Sequence, residues 1–156
     1  MDINIIKAEY KHIIDCKVAL QKSELGRVYF KDEDKAINAL KEGISKNEIC
    51  VATDKEGSCL GFIWVIPNGA FHSFPYLHMI VVKEEFRNLG IGKKLLKYFE
   101  EIMSKDSSKL FLVVADFNPR AKQLYQSFGY KEVGIISDLY KKGVAECLMV
   151  KDNIKI

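Results

Sequence analysis

The spacing of apolar residues predicts three elements within the first 45 residues. Isoleucines at positions 3, 5 and 6 indicate a short strand. Apolar residues that recur every three to four positions then predict helices over residues 10–23 and 32–45. Asp32 or Asp34 is the expected N-cap of the second helix, because a carboxylate accepts a hydrogen bond from an unpaired N–H of the first turn. A turn at Gly26 is expected to close the first helix.

The middle of the chain reads as strands around one amphipathic helix. Residues 48–53 and 60–66 are strand-like runs joined by a short polar loop, and residues 67–75 read as a loop with glycine and proline. Residues 76–82 and 110–115 are almost continuously apolar, which predicts central strands covered on two faces. A helix over residues 91–104 separates these strands, so the order strand, helix, strand predicts a parallel crossover unit.

The last third of the chain predicts one more helix and a strand pair. Asn118 followed by Pro119 favours a helix start, because Asn caps an unpaired N–H and Pro fits the first helical position. Gly129 is expected to end this helix. Residues 130–136 and 144–150 then predict an antiparallel pair of strands. The chain shows no repeat or linker, so we expect one domain over residues 1–156.

Composition narrows the class of protein. The 156 residues are 48% hydrophobic, and the net charge of +3 is spread without a block of like charges. This charge distribution gives no reason to expect a nucleic-acid partner. The sequence has neither an apolar window of 18 residues nor a leader-like start, which predicts a soluble, cytoplasmic protein without membrane contact. The cysteines form no C-x-x-C pair and the histidines show no zinc spacing, so we expect no metal.

A glycine-rich turn stands where a buried strand meets the amphipathic helix. Its pattern is Arg87-x-x-Gly90-x-Gly92, and a helix N-terminus after such a turn favours an anion, because its N–H groups and dipole point at the ligand. A Walker loop would need glycine in place of Arg87, and the dinucleotide fingerprint would need a small residue in place of Leu95. ATP and NAD are therefore not the expected ligands.

A second motif begins 26 residues after Gly92. It reads Asn118-Pro119-Arg120-Ala121-Lys122-Gln123-Leu124-Tyr125-Gln126-Ser127-Phe128-Gly129-Tyr130. Together with the glycine turn, in this order and spacing, it resembles the GNAT superfamily of N-acetyltransferases. The resemblance implies an α/β (α+β) fold: a mixed, mostly antiparallel sheet of about six or seven strands flanked by about four helices, with a splayed parallel strand pair that forms the cofactor cleft.

The same resemblance implies acetyl-CoA as co-substrate and suggests which residues bind it. The pantetheine arm would pair with the backbone of the strand before the turn, and the pyrophosphate would bind the backbone of the turn and first helical residues. Asn118 would touch the cofactor arm, although its role as a helix cap alone is an alternative. The implied cofactor-binding residues are Ile80, Val81, Val82, Arg87, Asn88, Leu89, Gly90, Ile91, Gly92, Lys93, Asn118 and Tyr125.

Tyr125 and His78 are the two candidate catalytic residues. Tyr125 matches the family's general acid, because a phenol can protonate a departing thiolate whose pKa is about 8.5. The family often uses a Glu on the preceding strand as base, but this strand offers Tyr76 and His78 instead. His78 is a candidate base, since its unperturbed pKa is about 6.5, and strand alternation places it on the face of Tyr76 and Ile80. A water chain is the alternative.

The predicted function is transfer of an acetyl group from acetyl-CoA to a primary amine of a small molecule, a protein or a peptide, directly within a ternary complex. The acceptor pocket is expected from residues 20–30 and 67–75, where Phe71, His72, Phe74 and Tyr76 suggest an aromatic wall. A non-catalytic acyl-CoA-binding or sensing module with the same fold is the alternative. The resemblance also admits a homodimer.

Overall fold

The computed structural model describes residues 1–153, which contain seven β-strands and five α-helices. The strands are β1 (Asn4–Lys7), β2 (Ile49–Thr53), β3 (Cys59–Ala70), β4 (Phe74–Val82), β5 (Lys109–Ala115), β6 (Lys131–Ser137) and β7 (Ala145–Asp152). The helices are α1 (Ile13–Gln21), α2 (Glu24–Tyr29), α3 (Glu33–Ser45), α4 (Ile91–Met103) and α5 (Pro119–Ser127). Short 3-10 helices lie at Tyr10–His12 and Glu84–Phe86.

The strands follow the hydrogen-bonded order β1-β2-β3-β4-β5-β7-β6. β4 and β5 pair in parallel, with Tyr76 opposite Phe111 and Leu77 opposite Leu112. The pairs β1–β2, β2–β3, β5–β7 and β6–β7 are antiparallel. The predicted mixed sheet with one parallel pair is therefore confirmed, and the fold has one helix more than the sequence predicts.

These elements fall into two compact units. The first unit comprises Met1–Val65 and Met79–Phe99, and the second comprises Ile66–His78 and the described chain from Glu100 onward. β3 and β4 each run through both units. The expectation of one domain over residues 1–156 stays a prediction, and its last three residues lie outside the described part of the chain.

Packing in the first unit follows the amphipathic pattern of its helices. The Asp32 carboxylate accepts a hydrogen bond from Lys35 N at 3.1 Å, which confirms Asp32 as the N-cap of α3. α3 contacts α1, and both helices bury one apolar face. The side chains with no exposed surface on these faces are those of Cys16, Leu20, Ala36 and Leu40.

The predicted turn at Gly26 is wrong, because this residue lies inside helix α2. Ser23 caps the helix by accepting a hydrogen bond from Gly26 N at 3.1 Å. A Cβ on Gly26 would lie 1.7 Å from the carbonyl oxygen of Leu20. The glycine therefore allows close approach of two helical segments, a reason that its position in the sequence does not reveal.

The predicted loop over residues 67–75 is also wrong. β3 continues to Ala70 and β4 begins at Phe74, so only a tight turn joins them. Phe71 and His72 take left-handed φ angles of 55° and 57°, and Ser73 N donates to Ala70 O at 3.1 Å. Two consecutive left-handed residues are typical of the hairpin turn that matches strand twist. Glycine and proline suggested a loop, but strand pairing overrides that local signal.

β4 is covered more completely on one face than on the other. Leu77, Met79 and Val81 are buried, whereas the alternating residues Tyr76, His78, Ile80 and Val82 are half-buried. The prediction of full cover on two faces is therefore wrong for β4, while the shared face of Tyr76, His78 and Ile80 is confirmed. An apolar run cannot distinguish a covered face from one that lines an accessible surface.

Replacing Gly61 by alanine is expected to destabilise the first unit. An added Cβ would lie 2.5 Å from Val81 O and 3.0 Å from Val82 Cα, so the backbones of β3 and β4 would have to move apart. Overpacking of this kind costs about 1–3 kcal/mol. Gly134→Ala is the matched control, because Gly134 also lies in a strand but has open space at its Cβ position. Urea denaturation that gives equal midpoints for the two variants would contradict this expectation.

Candidate active site

The predicted phosphate-binding turn lies in the first unit, between β4 and α4. The chain leaves β4 at Val82, passes the short 3-10 helix, and reverses through residues 87–90. Asn88 and Gly90 take left-handed φ angles of 64° and 82°, and Leu89 is 56% exposed. Nothing lies within 4 Å of the position where a Gly90 Cβ would stand. The turn therefore presents backbone to open space in front of the helix.

α4 presents unpaired N–H groups at this turn. Its first intrahelical bond runs from Lys94 N to Gly90 O at 3.1 Å, so the N–H groups of residues 91–93 precede the hydrogen-bond ladder. Ile91 is 2% exposed and anchors the helix start, whereas Lys93 and Lys94 are exposed. A Gly92 Cβ would lie 3.9 Å from Val82 Cγ2, which places the helix start against the end of β4. The donors and the positive end of the dipole suit an anion such as pyrophosphate.

Arg87 holds the turn in place through backbone contacts. Its Nε donates to Val82 O at 3.3 Å, and its Nη2 donates to Lys22 O at 3.1 Å. The side chain is half-buried in this arrangement. Arg87 therefore ties the turn to the end of β4 and to the C-terminal end of α1. Its guanidinium still contributes positive charge to the same region of the first unit.

Asn118 caps helix α5 in the second unit. Its Oδ1 accepts a hydrogen bond from Ala121 N at 3.4 Å, and Pro119 occupies the first helical position. Asn118 N donates to Ala115 O at 3.0 Å, which links the cap to the end of β5. The capping role is therefore confirmed, while contact of Asn118 with a cofactor arm stays a prediction.

Tyr125 is buried on the inner face of α5. It is 9% exposed, and its ring meets that of Tyr130 edge-on with a centroid distance of 6.0 Å. Burial raises the pKa of Tyr125 to about 12, because the phenolate would lose its hydration. The hydroxyl therefore stays protonated at neutral pH, as a proton donor must.

His78 and Tyr76 lie on the half-buried face of β4. Their ring centroids are 6.0 Å apart. Burial lowers the pKa of His78, since desolvation disfavours the imidazolium. The imidazole is therefore neutral at physiological pH, but its capacity to hold a proton is weaker than that of an exposed histidine.

Two polar residues of the second unit, Tyr140 and Glu146, were not predicted as functional. The hydroxyls of Tyr76 and Tyr140 are 2.9 Å apart, and Tyr140 is 53% exposed on the loop between β6 and β7. Glu146 on β7 is only 3% exposed. One signal for Glu146 was present in the sequence, because it is the only charged residue among the six residues 145–150.

The predicted aromatic wall is only partly assembled. Phe71 and Phe74 both contact the ring of Phe111, with centroid distances of 5.4 and 5.5 Å. Phe71 is nevertheless 70% exposed. Residues 20–30, the other predicted part of the acceptor pocket, lie in the first unit and form the end of α1 and the short helix α2.

Residues 1–153 contain no candidate metal site and no candidate membrane span. No group of three or more His, Cys, Asp or Glu side chains in this part of the chain is arranged to hold a metal ion. Within the same residues, no helix combines the length and the apolar character needed to cross a membrane.

Comparison of the chain with characterised proteins identifies named relatives. Thialysine N-epsilon-acetyltransferase of Bos taurus is 42% identical over 59 residues, which are 37% of this chain and 35% of that protein. N-alpha-acetyltransferase of Sulfurisphaera tokodaii is 35% identical over 72 residues, 45% of this chain and 43% of that protein. The matches thus span less than half of the length of these two relatives.

Solved structures show the same fold over nearly all of the chain. Ard1 from Thermoplasma volcanium matches with a TM-score of 0.82 at 19% identity, covering 99% of this chain and 100% of that one. A GNAT-family acetyltransferase from Bacillus cereus matches with a TM-score of 0.76 at 18% identity and the same coverage. The family model described as "Acetyltransferase (GNAT) family" matches residues 13–130, which include the glycine turn and the Asn118–Tyr130 motif. Because this match covers most of the 156 residues, the chain belongs to the GNAT acetyltransferase family.

Proposed function

We propose that this protein is an acetyl-CoA-dependent N-acetyltransferase that acts on a primary amine by direct transfer in a ternary complex. The observation that carries the proposal is the left-handed Gly90, which opens space before the unpaired N–H groups of α4. This geometry occurs at the family's pyrophosphate motif. It supports a diphosphate-bearing ligand, and family membership favours coenzyme A over other ligands of that class.

The acetyl-CoA thioester supplies the activated acetyl group. The residues of this chain bind the cofactor and protonate the leaving thiolate. Backbone N–H groups of residues 88–93 hold the pyrophosphate, with charge from Arg87 and Lys93. The backbone of residues 80–82 pairs with the pantetheine arm, and Asn118 contacts that arm. Tyr125 gives its phenolic proton to the leaving thiolate, and its raised pKa ensures that the hydroxyl carries this proton at neutral pH. His78 is one candidate for the base.

The acceptor is a primary amine of a small molecule, a protein or a peptide. Two named relatives support this range, since one is a thialysine N-epsilon-acetyltransferase and the other an N-alpha-acetyltransferase. We also propose that the protein is cytoplasmic. The homodimer admitted by the sequence stays a prediction.

The test is a thermal-shift comparison with saturating acetyl-CoA, ATP and NAD. A ligand at a hundred times its dissociation constant stabilises the folded state by about 2.7 kcal/mol. For a chain of this length, that raises the midpoint by roughly 5–10 °C. We expect this rise with acetyl-CoA alone, followed by release of free thiol when an amine acceptor is added. An equal rise with ATP or NAD, or none with acetyl-CoA, would contradict the proposal.

A further inference from the structure

Glu146 is a carboxylate in a position where strands normally bury apolar side chains. It lies on β7 opposite Ala115, the last residue of β5, and opposite Ile136 on β6. Its exposed fraction is 3%, and the neighbouring Cys147 and Met149 are buried as well. Acidic residues are rarely this deeply buried, because desolvation of the carboxylate costs free energy that its surroundings must compensate. Such a residue near a reaction centre is a candidate functional group.

The hydroxyls of Tyr76 and Tyr140 join β4 to the loop that leads into β7, whose second residue is Glu146. Their hydroxyls are 2.9 Å apart, with Tyr76 half-buried on β4 and Tyr140 exposed on the loop after β6. Burial raises the pKa of Tyr76 well above its ordinary range, with further contributions from Tyr140, Glu146 and Tyr125. One of these contributors, Tyr125, is the acid proposed for the leaving thiolate.

We propose that Glu146, together with the hydroxyls of Tyr76 and Tyr140, forms the acceptor end of the active site, and that this end takes a protonated aliphatic amine. This inference rests on the proposed function and narrows its substrate class. An ammonium group is attracted by a carboxylate in surroundings of low dielectric constant, and tyrosine hydroxyl oxygens accept its remaining N–H bonds. The neutral His78 offers no such charge.

The proton balance of the transfer assigns one role to each acidic group. The bound R–NH3⁺ gives one proton to the Glu146 carboxylate and becomes R–NH2. The nitrogen then forms a C–N bond with the acetyl carbon, and the C–S bond breaks. Tyr125 protonates the departing sulfur and regains a proton from the nitrogen. Glu146 finally releases its proton to solvent through the Tyr76 and Tyr140 hydroxyls, so the products are the amide, the free thiol and one proton.

Glu146→Gln tests this assignment, because glutamine keeps the shape of the side chain and removes its charge. The probes are lysine, a dipeptide with a free N-terminus and an aliphatic diamine, with 4-methoxyaniline as an acceptor that is neutral at pH 7.5. We expect kcat/KM for the best aliphatic amine to fall about 10²-fold or more, the usual contribution of a general base. Any activity with the neutral amine should change far less, and the midpoint rise with acetyl-CoA should be unchanged.

Glu132→Gln is the matched control, since Glu132 is an exposed carboxylate on the adjacent strand β6. It should leave kcat/KM as in the wild type. If Glu146→Gln does not fold, Tyr140→Phe provides the test, because the Tyr140 side chain is exposed. Loss of its hydroxyl should raise the KM for the amine several-fold without changing the midpoint rise with acetyl-CoA.

Two outcomes overturn the inference. One is a folded Glu146→Gln variant, or failing that a Tyr140→Phe variant, with wild-type kinetics towards aliphatic amines. The other is a wild-type protein that binds acetyl-CoA but acetylates none of the aliphatic amines. In either case the acetyl-CoA response would still support the cofactor assignment, whereas loss of that response in the wild type would contradict the proposed function itself.

Discussion

Replacing Gly90 by valine is expected to abolish the stabilisation by acetyl-CoA, a midpoint rise of roughly 5–10 °C in the wild-type protein. Gly90 has a φ of 82°, where a β-branched residue is strained by about 1–3 kcal/mol. The new side chain would also fill the space in front of the α4 N-terminus, where nothing lies within 4 Å of an added Cβ. The measurement is the thermal midpoint with and without saturating acetyl-CoA.

Gly57→Val is the control for backbone strain. Gly57 lies in the loop between β2 and β3, its φ is 87°, and its Cβ position is open as well. Both variants should therefore lose similar stability in the absence of ligand. Only the Gly90 variant should lose the response to acetyl-CoA. A Gly90→Val protein that keeps the full rise would show that the turn does not hold the pyrophosphate.

Replacing Tyr125 by phenylalanine is expected to lower kcat about 10²-fold. The phenol is 9% exposed, and its pKa of about 12 keeps the hydroxyl protonated at neutral pH. A thiolate leaving group, whose pKa is about 8.5 in solution, is stabilised by a proton donor at the moment the C–S bond breaks. The KM for acetyl-CoA should stay within about threefold, because the lost interaction acts on the transition state.

Tyr130→Phe separates this chemical role from packing. Tyr130 is also a buried tyrosine, 2% exposed, and its ring touches that of Tyr125. Loss of its hydroxyl should leave kcat within about threefold of the wild-type value. Equal losses of kcat in the two variants would indicate that the Tyr125 hydroxyl has a structural role, and another proton donor would then have to be sought.

Local signals predicted four of the five described helices, and α2 was missed. The Asp32 and Asn118 caps are visible in the sequence because capping depends on a side chain and on N–H groups three residues away. α4 begins at Ile91 and α5 ends at Ser127, in agreement with the predicted boundaries. The prediction at Gly26 was wrong because this glycine is required by packing between helices, where an added Cβ would meet Leu20 O.

The sequence predicted those parts of the candidate site that consist of residues contiguous along the chain. Gly90 and Gly92 lie in one turn, and their motif reveals the helix N-terminus that follows. Arg87 was predicted to supply charge, but its contacts with Val82 O and Lys22 O show that it also holds the turn. The contact to Lys22 joins residues 65 positions apart, and no local pattern encodes it.

The sequence by itself determined the family, the helix caps and the glycine turn before α4, because each depends on residues that are neighbours along the chain. Only the tertiary structure decided that β3 and β4 meet in a tight hairpin, that one face of β4 is left half-buried, and that Tyr76 and Tyr140 share a hydrogen bond. The burial of Glu146 belongs to the same group. These features arise from strand pairing and desolvation, which depend on residues that folding brings together from distant parts of the chain.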